Sequence, residues 1–105
     1  MIVVIGRVRC PEERREELQA AAERMQAESR KEDGCLRYEF YTAIADPLSF
    51  VAVEEWEDRD ALERHFGQPH FQEFVQRLGE AVSEPPEIAI HEVAHTQPFG
   101  RHGAT

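Results

Sequence analysis

No asparagine occurs anywhere in the chain, so no mechanism that needs an Asn side chain can operate in it. Cysteine is nearly as scarce. Cys10 and Cys35 have no C-x-x-C spacing and sit at the ends of two expected elements, so they read as packed, reduced thiols rather than a metal knot or a redox pair. Cations are few: 12 Lys and Arg stand against 21 Asp and Glu. The resulting net charge of -9 argues against a nucleic-acid partner, because affinity for a phosphate backbone at physiological salt rests on clustered Lys and Arg. No apolar run approaches the roughly 18 residues that mark a membrane helix. The opening Met1-Ile2-Val3-Val4-Ile5 lacks a basic leader before a cleavable apolar region and reads as a first strand, so the chain is expected to be cytoplasmic.

What is present is a soluble globular profile, 41% hydrophobic and 31% charged. A chain of 105 residues makes one domain that buries roughly two-thirds of the surface its unfolded form exposes. Residues 1–95 are expected to form it, with 96–105 as a tail. Ile2 to Val8 reads as a buried strand, since its β-branched run is unbroken until it reaches Gly6 and Arg7. Pro11 suits a first helical turn, acids follow it, and Leu18, Ala21, Ala22, Met25 and Ser29 recur at helical spacing until Asp33-Gly34 stops the helix. Leu36, Tyr38 and Phe40 alternate as a second strand, Ala45 to Leu48 reads as a turn, and Phe50 to Trp56 pairs back as a third strand. A short helix over Arg59 to Phe66 is followed by one opened by Pro69, whose stripe of Phe71, Phe74, Val75, Leu78 and Val82 is expected to be the main helical contribution to the core. Pro85-Pro86 then ends it, and Ile88 to Val93 alternate as a last strand.

The order is βαββααβ, which points to a ferredoxin-like α+β fold with helices on one face of an antiparallel sheet. That arrangement leaves Val3, Ile5, Val51, Val53, Ala89 and Val93 on the uncovered face. An apolar face of that extent is closed most simply by a second copy, so a homodimer is expected.

Chemistry concentrates between Phe50 and Phe71. Strand alternation aims Glu54 and the only tryptophan, Trp56, to the same side. Asp58 can cap the following helix, on which Ala61, Leu62, His65 and Phe66 share a face, so His65 is aimed inward. Glu54 and His65 are therefore candidate bases. A buried carboxyl would have a raised pKa, while for His65 a nearby ionised Glu54 would raise the pKa and burial would lower it. Trp56, Tyr38 and Phe66 are candidate walls of a substrate pocket, and His70, at a helix start, is a candidate polar contact. His91, His95 and His102 lie on the last strand and tail without the spacing of a metal site.

These residues resemble those of a known family, the antibiotic biosynthesis monooxygenase domain, small dimeric α/β-barrel proteins that include quinol monooxygenases. The matching pieces are Gly34-Cys35-Leu36-x-Tyr38, Asp46-Pro47-x-x-Phe50, Glu54-x-Trp56-x-Asp58-x-x-Ala61-Leu62-x-x-His65 and Pro69-His70-Phe71-x-x-Phe74, in order from about Ile2 to Val93. The resemblance implies oxygenation without metal or flavin, haem breakdown or sugar-phosphate isomerisation, all of which this domain hosts. Members acting on polyketides or haem use an asparagine that this chain lacks, and Phe74 and Val75 stand where the haem degraders place an axial histidine. What the resemblance leaves is a cofactor-independent monooxygenase for a small quinol-type aromatic and O₂, or an isomerase of a small hydroxy-carbonyl compound. A binding dimer without turnover is the third reading, and it predicts a cavity too small for an aromatic ring.

Overall fold

The computed structural model describes residues 1–100, so His102 and the end of the expected tail lie outside the described residues. The chain runs through β1 (Ile2–Arg9), a 3-10 turn (Glu12–Arg14), α1 (Arg15–Ser29), β2 (Cys35–Ala43), β3 (Asp46–Trp56), α2 (Arg59–Phe66), α3 (Pro69–Ala81) and β4 (Glu87–Glu92). All strand pairs are antiparallel, and the order across the sheet is β2-β3-β1-β4, the ferredoxin-like α+β arrangement.

Alternation decides what each strand buries. Ile2, Val4 and Val8 of β1 and Phe50, Ala52, Glu54 and Trp56 of β3 turn to one face, where they meet Leu18 and Met25 of α1, Ala61 and Leu62 of α2 and Leu78 of α3. Val3, Ile5, Val51 and Val53 turn to the other face and stay half-exposed, Ala89 is exposed, and Val93 follows β4 half-buried.

Three expectations are corrected. The hairpin turn is Ile44-Ala45, and Asp46-Pro47 already belongs to β3. Pro47 is tolerated there because β1 pairs with β3 only as far as Ser49, so no ladder donor is missed, while Asp46 Oδ1 accepts the Leu48 N–H at 3.2 Å. The second correction concerns the helices: α1 buries Leu18, Ala22, Met25 and Ser29, whereas α3 buries only Leu78 and Ala81 and leaves Val75 47% exposed. The greasier stripe therefore contributes less. The third gives the reason. Strand β4 is exposed at every position, and although Ile88 and Ile90 pair with Gly6 and Val4 on the helix side, they remain 64% and 42% exposed because, among the described residues, no helix packs closely over that edge.

Candidate functional site

Glu54 is a carboxylate in the apolar core, 8% exposed, and its local geometry follows from strand period. Two residues on along the same face, Trp56 donates its indole N–H to Glu54 Oε1 at 3.0 Å. Across the ladder Tyr38 is its direct partner, with the phenol close enough to favour the ionised carboxylate. Burial outweighs both donors and pushes the Glu54 pKa up to about 7 from the ordinary 4.5. Burial, helped by the same carboxylate, also holds the Tyr38 phenol above its usual range.

A second cluster forms around α2. Asp58 Oδ1 accepts the Ala61 N–H at 2.9 Å, which sets the helix start, and the helix then buries His65 among the rings of Trp56, Phe71 and Tyr38, at 4.6, 5.1 and 5.6 Å between centroids. His65 Nδ1 donates to Glu32 Oε2 at 2.7 Å, and His70 Nε2, from the first turn of α3, donates to the same oxygen at 2.7 Å. A carboxylate oxygen shared by two ring nitrogens acts as the acceptor of both. Among the described residues, the buried His65 Nε2 has no hydrogen-bond partner. Burial lowers the His65 pKa against the opposing pull of Glu32.

Glu32 had no sequence signal. It lies in the turn between α1 and β2, 33 residues from His65 and 38 from His70, and is brought to them by Gly34. Gly34 takes φ +86°, and a Cβ there would stand 2.5 Å from that of Ala61, so only glycine lets the turn close onto α2. The carboxylate beside His65 is thus Glu32 and not Glu54, and in the competition set up by the sequence burial prevails.

Between helices and sheet lies a cavity of about 80 Å³, bounded by Tyr38, Phe40, Glu54, Phe71, Phe74 and Ile88 among others. Of the candidate site residues, Glu54 and Tyr38 line it. Trp56 lies behind Glu54, Phe66 packs on Phe71 at 5.2 Å, and His65 is a layer further back; none of the three lines the cavity. His70 with Glu32 borders an open surface groove of about 530 Å³ instead. The structure therefore separates the two candidate bases, one facing the cavity and one tied to a surface cluster. Among the described residues, no helix is long and apolar enough to cross a membrane.

Comparison with known proteins agrees with the fold. The chain is 38% identical over 91% of its length to the uncharacterised protein sll1783 of Synechocystis, of which it spans 65%. It is 31% identical over 90% of its length to "Putative monooxygenase YcnE" of Bacillus subtilis, 99% of which is covered. The solved structure of Rv0793 from Mycobacterium tuberculosis superposes with a TM-score of 0.85 at 27% identity, covering 90% of this chain and 96% of that one. The sequence profile described as antibiotic biosynthesis monooxygenase matches residues 1–77, and the chain belongs to that family.

Proposed function

We propose that the protein is a monooxygenase working without metal or flavin on a small, electron-rich phenol or quinol, with Glu54 as the base. The observation that carries this reading is the buried Glu54 carboxyl, with a pKa of about 7, facing an apolar cavity. A base poised there takes a phenolic proton at neutral pH, and the apolar walls disfavour every competing charge. The phenolate then passes one electron to O₂, the radical pair combines at a ring carbon, and the hydroperoxide loses water to leave a quinone. One oxygen atom enters the product and the other leaves as water. Tyr38, the cross-strand partner of Glu54 on the cavity wall, would orient the ring hydroxyl in this reading.

Oxygen consumption over a panel of phenols and quinols tests this. Uptake is expected with the wild type and a loss of at least about a hundredfold in Glu54→Gln, the scale of general-base catalysis. Absence of uptake across the panel, or equal rates in the variant, would sink it.

Cavity size favours a second reading, a dimer that binds a small molecule without turnover. About 80 Å³ is below the roughly 150 Å³ that holds a benzene ring, so a ring enters only if the lining side chains move outward. Trp56 is the only tryptophan and touches Glu54, so its fluorescence reports on occupancy. A quinol that quenches it without consuming O₂ assigns the protein to binding. A phosphorylated isomerase substrate is disfavoured, since among the described residues neither Arg nor Lys lines the cavity.

A further inference from the structure

The proposed reaction leaves Glu32, His65 and His70 unused, yet their donor atoms all lie within 4.8 Å of one another. We propose that these three side chains form a binding site for a divalent transition-metal ion of the zinc type, separate from the Glu54 cavity. Two imidazole nitrogens and one carboxylate oxygen are the donors that Zn²⁺, Co²⁺ and Ni²⁺ take in proteins, whereas Ca²⁺ and Mg²⁺ prefer oxygen throughout.

The geometry is close to what an ion requires. Ligand bonds of about 2.0–2.1 Å at tetrahedral angles set neighbouring donors roughly 3.3 Å apart. Glu32 Oε2 now lies 2.7 Å from each nitrogen and the three donor atoms lie within 4.8 Å of one another, so an ion is accommodated once the carboxylate retreats by about half an ångström and the two imidazole nitrogens settle at the tetrahedral spacing. That retreat is open to Glu32, which sits on a turn outside helix and strand. His65 and His70 stand on two successive helices joined by Gly67-Gln68, and rotation of their side chains brings the two nitrogens to the spacing an ion sets.

Access and tautomer point the same way. Glu32 and His70 are about one-tenth exposed at the floor of the surface groove, so an ion can enter there and complete its shell with water. Of the groove's three cations, Lys31 is held by Glu28 at 3.0 Å and Arg24 by Glu73 at 3.1 Å, which blunts their repulsion, while Arg64 has no ion pair among the described residues. Metal at His65 Nδ1 places the ring proton on Nε2. In the hydrogen-bonded state, with Nδ1 the donor, that atom is a buried lone pair without a partner among the described residues, on a ring surrounded by Trp56, Phe71 and Tyr38. An aromatic ring can weakly accept an N–H, so the proton gains a kind of partner that this ring environment offers.

Calorimetric titration of the full chain with Zn²⁺ near neutral pH reads the site without any turnover, so its outcome is independent of the oxygenase reading. One ion per chain is expected at micromolar affinity or tighter, weakened at least about tenfold in Glu32→Gln and in His70→Gln and unchanged in His91→Gln and Cys35→Ser. Both affected positions border the groove, and circular dichroism verifies that the variants fold. In parallel, Zn²⁺ should shift the ring resonances of His65 and His70 in a histidine-labelled sample and leave those of His91 in place. No saturable binding, or binding that survives in both Glu32→Gln and His70→Gln, overturns the proposal.

Discussion

A carboxyl held at a pKa of about 7 inside a core has a consequence for stability whatever its chemistry. Between the ordinary 4.5 and about 7 the folded chain holds a proton at Glu54 that the unfolded chain has released. Stability is therefore greatest on the acid side of this window and falls as pH rises through it, by on the order of 3 kcal/mol for this group alone. Urea unfolding at a series of pH values should show that fall in the wild type and a flatter profile in Glu54→Gln, whose amide oxygen still accepts from Trp56. A steeper alkaline loss in the variant would contradict the assignment. At this scale the pairing of Glu54 with Trp56 was legible, because two residues of one strand share a face, but Glu32 was not, because nothing local distinguishes one glutamate of an acidic chain from another.

Short elements carry the site, and two residues set where they lie. Gly34 combines a left-handed backbone with the close approach to Ala61, and Asp58 caps α2. Gly34→Ala is expected to destabilise by about 2 kcal/mol or more, from the αL penalty plus the clash, while Asp58→Ala loses one capping bond worth about 1 kcal/mol. Thermal unfolding of the two variants should rank them in that order. The Gly34 change should also move the His65 ring resonances, since it shifts the turn that carries Glu32; an equal effect of the two on stability would show that the turn relaxes. The span of α2 was readable from its cap and its apolar face. The poor burial of α3 was not, because a hydrophobic stripe records what a helix can cover and not whether a neighbouring strand stands opposite it.

At the level of the whole molecule, the sheet has one face under helices and another, with Val3, Ile5, Val51 and Val53, that the chain itself leaves half-exposed. We propose that a second copy covers it. Light scattering at micromolar concentration should report about twice the 12.1 kDa of one chain. Val53→Asp should shift that mass towards the monomer, because an unpaired charge at a buried interface costs a few kcal/mol. Unchanged dimer mass in the variant would move the interface elsewhere, and a monomeric wild type would remove it.

Sequence periodicity alone determined the order of elements, the ferredoxin-like class, the shared face of Glu54 and Trp56, and the inward aim of His65, since each of these is a relation between residues within one helix or strand. Only the tertiary structure decided which carboxylate meets His65, that the two candidate bases face different spaces, and that β4 leaves its isoleucines uncovered. Those outcomes depend on contacts between segments more than thirty residues apart along the chain, as from Glu32 to His65 and His70, and such contacts are set by how the helices lie on the sheet and not by the period of any one of them.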